Sequence, residues 1–225
     1  MNKLVIFDLD GTLCDTLDDL TYYVNVACRK FGYPEIDRSI ARKHVCRGSL
    51  EFFRLCLGEQ KNNPKVEEYH EYYSDQYRLS GSPRTKLYDG MEQALLRLKA
   101  NGYKFAILTN KTQVQTDVIY DRYIKHIGFD KVVGLRDGVV AKPDPTEILN
   151  LIKEFGTDKE HTYFIGDGDT DVLASLNAGV NLIAVTYGYR DKDLLEQLGA
   201  KVFADNPKEI ADIILGETNE QISNF

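Results

Sequence analysis

No stretch of this 225-residue chain approaches the roughly 20 consecutive apolar residues needed to span a bilayer. The N-terminus has no basic region followed by a long apolar run, so no leader and no membrane partner are expected, and a cytoplasmic location is the default expectation. Positive charge is also scarce. The 28 Lys and Arg are outnumbered by 35 Asp and Glu, giving a formal net charge of −7. A nucleic-acid partner is therefore not expected, because phosphate backbones call for a basic face. Small anionic ligands stay open if a few cations are focused locally. The four cysteines, Cys14, Cys28, Cys46 and Cys56, show no CxxC spacing. Zinc-finger and thioredoxin chemistry lose support, and reduced structural thiols are expected. The histidines at 44, 70, 126 and 161 are scattered without metal-ligand spacing and are expected at the surface or satisfied internally. There is neither an internal repeat nor a low-complexity segment.

What remains is the composition of a globular protein: 43% hydrophobic and 28% charged residues allow a packed core. The length suits one domain or a core with a smaller insert. Short apolar runs that read as buried parallel strands recur: LVIF at 4–7, KFAILT at 104–109, KVV at 131–133, TYFIG at 162–166, LIAVT at 182–186 and KVFA at 201–204. Stretches of helical period separate most of them, including Met91 to Asn101 and Pro145 to Phe155. This alternation predicts an α/β fold with a Rossmann-like, doubly wound parallel sheet.

One interval breaks the rhythm. From Asp15 to about Ser82 no strand run occurs, and helices are expected over 17–31, 39–45, 49–57 and 64–79. This region reads as an α-helical cap inserted after the first strand, dividing the chain into a core of 1–14 and 83–225 and a cap of 15–82. The last cap helix carries Val66, Tyr69, Tyr72, Tyr73 and Tyr77 at a spacing that predicts a packing stripe, the alternative being that one tyrosine lines a pocket. The polar tail ETNEQISNF after Gly216 is expected to fray.

In open α/β sheets the reactive crevice lies at the carboxyl ends of the strands. The residues there are Asp8 and Asp10, then Thr109 and Asn110, then Lys142 in AKPDP, then Asp167, Asp169 and Asp171. Several carboxylates in one crevice cannot all stay ionised without a compensating cation. A hard divalent ion suits them, and Mg2+ in particular takes few protein carboxylates and completes its shell with water and phosphate. Lys142 would neutralise a nucleophilic carboxylate and an incoming phosphate, while Thr109 would donate to phosphoryl oxygens. Asp8 and Asp10 would share a face if the strand ran on regularly, so that one attacks phosphorus and the other handles the leaving-group proton. Gly11 permits a tight turn and Thr12 is expected to hold it by hydrogen bonding. GDGDTD lacks the terminal Glu of a calcium loop, which disfavours that reading.

DLDGTL at 8–13, LTN at 108–110, KPDP at 142–145 and GDGDTD at 166–171 resemble, in order, the four motifs of the haloacid dehalogenase-like superfamily. DTLDDL, DGMEQALLRLKANGYKFAILTNK and DVLASLNAG followed by VTYGYRD are similar to its phosphoglycolate phosphatase-like branch, whose cap domain matches the helical insert. The resemblance implies that Asp8 is nucleophile and metal ligand. Asp10 would be general acid and base and would give its main-chain carbonyl to the metal. Asp167 would be the main remaining ligand, with Asp171 ligating directly or orienting metal-bound water. Thr109 and Lys142 would hold the phosphate, and Asn110 and Gly11 would lend it backbone amides. Asp169 sits at a variable position and is read as a solvated loop residue. Around Gly48, where relatives place substrate contacts, Lys43, Arg47 and Ser49 are the candidates, with Arg47 or Lys43 either facing the site to bind substrate or standing as a solvated surface cation. Whether Lys111 faces the site or solvent stays open.

The reading that follows is a magnesium-dependent phosphomonoesterase, monomer or homodimer, that hydrolyses a small phosphorylated metabolite through an aspartyl-phosphate. Phosphoglycolate is the substrate the branch suggests. A sugar phosphomutase of the beta-phosphoglucomutase type is the alternative, disfavoured because such mutases place an arginine in the cap loop where this chain has Ser49. Dehalogenase and phosphonate chemistry are disfavoured by Asp10. A silent binding protein would have lost a motif residue, and none is lost.

Overall fold

The computed structural model describes residues 2–217. Apart from Glu217, the tail expected to fray lies outside them. Strand β1 (Lys3–Phe7) leads into a short β2 (Cys14–Asp15), four helices α1 (Leu17–Phe31), α2 (Arg38–His44), α3 (Ser49–Cys56) and α4 (Val66–Ser80), and a short β3 (Lys86–Leu87). Then follow α5 (Met91–Ala100), β4 (Tyr103–Thr112), α6 (Gln113–Ile119), β5 (Lys131–Leu135), α7 (Thr146–Phe155), β6 (Thr162–Gly166), α8 (Asp169–Ala178), β7 (Asn181–Val185), α9 (Lys192–Gln197), β8 (Phe203–Ala204) and α10 (Pro207–Leu215). The main sheet has the order β5-β4-β1-β6-β7-β8, and every pairing in it is parallel.

Because side chains alternate along a strand, β1 feeds two layers. Val5 and Phe7 join α5 and α10 on one face, while Leu4 and Ile6 join α7 and α8 on the other. Phe7 meets Phe105 and Phe129 edge-on, each with ring centroids 5.9 Å apart. This two-faced burial explains why the strand reads as an unbroken apolar run.

Helices α1 to α4 build a separate apolar cluster. The tyrosine stripe of α4 packs as expected, with Val66, Tyr73 and Tyr77 buried and Tyr69 and Tyr72 partly so. Strands β2 and β3 pair antiparallel, Cys14 opposite Leu87 and Asp15 opposite Lys86, and tie together the two chain segments that enter and leave the helices. The junction is braced from inside, because buried Asp19 accepts from the Arg84 amide at 2.9 Å and the Thr85 hydroxyl at 2.8 Å.

Candidate active site

Strand β1 ends at Phe7 and the chain coils at once. The amides of Leu13 and Cys14 reach Leu9 O at 3.1 and 3.0 Å. The extended run that would put Asp8 and Asp10 on one face therefore stops short, yet both carboxylates line the same pocket. The Gly11 amide is not offered to a phosphate as expected, since it donates within the turn to Cys14 O at 2.8 Å. Glycine is required there for a different reason. Its φ is +90°, and a Cβ would lie 2.3 Å from Asp167 Oδ2.

Asp8 is buried and bonded to Lys142 Nζ at 2.9 Å. The same ammonium donates to Asp171 Oδ1 at 2.6 Å and to Leu108 O at 2.9 Å, which uses all three of its protons. Burial works against the charge on Lys142, but Asp171 and Asp8 outweigh it and lift its pKa above the usual lysine range. Asn110 fixes the lysine's backbone: its Oδ1 accepts from the Lys142 amide and its Nδ2 donates to Lys142 O, both at 2.9 Å. The side chain of Asn110 thus does the positioning, where only its backbone was expected to act. Asp171 takes part in the same arrangement. Each of its oxygens holds one hydrogen bond, one from Lys142 and the other from the Gly168 amide at 2.9 Å, so besides any role at the metal it anchors the lysine.

Asp167 is wholly buried and held by the Tyr189 amide at 2.7 Å and the Thr12 hydroxyl at 2.9 Å. Thr12 therefore orients a carboxylate and does not brace its own turn. Burial, then Asp171 and Asp8, push Asp167 up to about 8. Asp8 is pushed up to about 7, with burial the main cause, Lys142 opposing it, and Asp171 and Asp10 adding to it. Carboxylates with this reluctance to ionise fit a divalent oxygen-seeking cation, whose charge would relieve them. Asp8, Asp167 and the thiol of Cys46 offer ligand atoms all within 4.8 Å of one another. Cys46 is thus no core thiol. It enters the pocket from the α2–α3 loop with φ +77°, and burial, reinforced by Asp167, Asp8 and Asp171, keeps it protonated.

Lys111 resolves toward the site. It is 6% exposed, its Nζ lies 3.1 and 3.3 Å from the two oxygens of Asp10, and it sits 4.8 Å from the Tyr77 ring centroid. Asp10 also accepts from the Thr16 hydroxyl at 2.5 Å. Thr109 lines the pocket, its hydroxyl accepting from the Lys111 amide at 3.3 Å. From the cap, Tyr73 is the stripe tyrosine that reaches the pocket.

Two cap cations do not reach it. Lys43 and Arg47 are exposed and line an outer groove with Arg42 and Arg190, and Arg47 comes no closer to the acidic residues than 3.9 Å from Asp169. Asp169, expected in a solvated loop, begins α8 and pairs with Arg190 at 3.1 Å. Arg190 also donates to Val45 O at 2.7 Å and Arg42 O at 2.9 Å, while Arg42 returns a bond to Tyr189 O at 2.8 Å. The Tyr189–Arg190 loop, within the VTYGYRD stretch but assigned no role from the sequence, thus holds the Asp167 carboxylate with one residue and the cap with the next.

Buried acids on strand ends, a lysine bridging two of them and a helical lid define a phosphoryl-transfer class of site, and the chain belongs to the haloacid dehalogenase-like hydrolases, whose family model matches residues 5–185. Within that family it is a phosphatase. It is 31% identical to phosphoglycolate phosphatase 1 of Pseudomonas aeruginosa over 92% of this chain and 78% of that one. It is 29% identical to the N-acetylmuramic acid 6-phosphate phosphatase of the same organism, covering 94% of each. A crystal structure described as a predicted phosphoglycolate phosphatase from Haemophilus somnus superposes with a TM-score of 0.86 at 25% identity, over 94% of this chain and 97% of that one. Among the described residues no helix is long and apolar enough to cross a membrane.

Proposed function

We propose that the protein is a magnesium-dependent phosphomonoesterase that hydrolyses a small phosphorylated metabolite through an aspartyl-phosphate, an acyl phosphate on Asp8, with 1–14 and 83–225 as catalytic core and 15–82 as cap. The observation that carries this reading is that Asp8, Asp10, Thr109 and Lys142 line one and the same pocket. Asp8 is the nucleophile and Lys142 holds its oxygen while screening it from the incoming phosphate. The Thr109 hydroxyl donates to a phosphoryl oxygen. Asp10 relays a proton to the departing oxygen and takes one from the water that cleaves the acyl phosphate. Asp8 and Asp167, with the Asp10 main-chain carbonyl, would hold the magnesium ion, which supplies the positive charge that lets two anions meet.

The test is phosphate release from a panel headed by phosphoglycolate and sugar phosphates, with magnesium or with chelator. Release is expected to require metal and to fall at least about a thousandfold in Asp8→Asn, consistent with loss of a covalent nucleophile. Undiminished release in that variant would remove Asp8 from its role.

A further inference from the structure

The phosphate-handling groups account for only part of the pocket's lining; the remaining walls would meet the alcohol that leaves. Leu20, Val45, Phe52 and the ring of Tyr73 make those walls apolar, and each is at most 4% exposed. Two polar atoms there have no hydrogen-bond partner: Nε2 of Gln115, on the first turn of α6, and the hydroxyl oxygen of Thr170. Gln115 is only 3% exposed, and a buried amide without a partner costs about 1–3 kcal/mol. Such a donor is satisfied when a ligand oxygen takes the bond.

Charge narrows the ligand further. The cations lining the pocket are Lys111 and Lys142, and both are matched, the first to Asp10 and the second to Asp8 and Asp171. With Asp167 added, four carboxylates face two ammonium groups, leaving two negative charges for a divalent ion to cancel before a phosphate arrives. No unmatched cation among the described pocket residues stands where a second anionic group of the substrate could lie, since Lys43 and Arg47 belong to the outer groove. Size narrows it again. Between the lining side chains about 30 Å³ of space is free, room for roughly two or three water-sized groups, so the walls lie close around whatever enters.

We propose that the released alcohol is short and uncharged, with a hydroxyl or carbonyl oxygen that accepts from Gln115 Nε2 and carbons that lie against Leu20, Val45, Phe52 and Tyr73. Leaving groups that carry a carboxylate are disfavoured. This rests on the phosphomonoesterase reading above and names its substrate class.

Three phosphate esters of nearly equal size test it, with magnesium present: 2-hydroxyethyl phosphate, 2-phosphoglycolate and ethyl phosphate. The first differs from the second by a hydroxymethyl group in place of a carboxylate, and from the third by one hydroxyl. kcat/KM is expected to be at least about tenfold higher for 2-hydroxyethyl phosphate than for either of the others. Gln115→Leu should erase the difference between the hydroxyethyl and ethyl esters, and the milder Gln115→Asn, which keeps the amide but shortens its reach, should shrink it. A wild-type preference for phosphoglycolate would overturn the proposal, as would an unchanged hydroxyethyl-to-ethyl ratio in both folded variants. Acetyl phosphate separates the two levels: its cleavage without cleavage of the three esters sinks the substrate class alone, whereas no cleavage of any compound sinks the phosphatase reading beneath it.

Discussion

Lys111 and Asp10 form a contact between two side chains that are 3% and 10% exposed. A buried pair of this kind contributes little net stability when intact, but losing one partner strands the other charge in a low dielectric. Lys111→Met should therefore lower the unfolding free energy by about 3–5 kcal/mol at neutral pH, read from urea midpoints, and adding Asp10→Asn should restore part of it. A loss under about 1 kcal/mol would mean that Thr16 alone satisfies Asp10. This pair was partly legible in the sequence. Thr109 and Lys111 are two apart in an extended run, so they face the same way, and Thr109 was already placed in the site. The run reads as ending at Thr109, however, whereas β4 continues to Thr112 through a shift of register after Leu108. Asp171 shows the opposite limit. Its motif announces a carboxylate at the site, but which cation claims it depends on Lys142, 29 residues away.

At the scale of elements, the helices of the insert are legible to within two residues at each end, because their apolar spacing is local. The loop between β7 and α9 is not. Tyr189 binds Asp167 through its backbone amide, and Arg190 binds the cap through the carbonyls of Arg42 and Val45. Main-chain groups have no signature in a sequence, so a motif reading finds neither partner. Arg190→Ala removes both cap bonds and the ion pair to Asp169. We expect KM to rise about tenfold with a smaller change in kcat, because closure over substrate is weakened while Asp8 and Lys142 stay in place. Limited proteolysis should cut first between α2 and α3 in this variant. Unaltered KM and an unaltered cleavage pattern would assign the cap's position to other contacts. The outer groove is a related case: Lys43 and Arg47 lie near Gly48 in sequence, yet the α2–α3 loop turns Cys46 inward and leaves both cations outside.

For the whole molecule, the acidic cluster ties stability to pH and metal. Asp8 and Asp167 have an ordinary value of 3.8 in the unfolded chain and are raised to about 7 and about 8 in the fold. Between those values the folded state binds protons that the unfolded state has released, so stability falls as pH rises. Metal-free protein should therefore show a decreasing Tm from about pH 5 to pH 8. Magnesium should reverse the trend, raising Tm more at pH 8 than at pH 5, where it must displace protons. A flat profile with and without the ion would show that the cluster is neutralised by other means. The fold itself was the most legible feature of all, since six apolar runs alternating with helical stretches leave few topologies available. The pocket's far wall was the least, because Leu20, Phe52, Tyr73 and Gln115 come from four helices whose meeting no local pattern announces. The Arg190 seam has one more consequence, for heredity. A latch fastened to main-chain carbonyls survives replacement of the side chain at 45, and the neighbouring positions 46 and 49, which face the pocket, take no part in it. A lineage can rewrite those residues one at a time to suit a new alcohol while the lid still shuts, so substrate choice drifts as the chemistry beneath it is inherited unchanged.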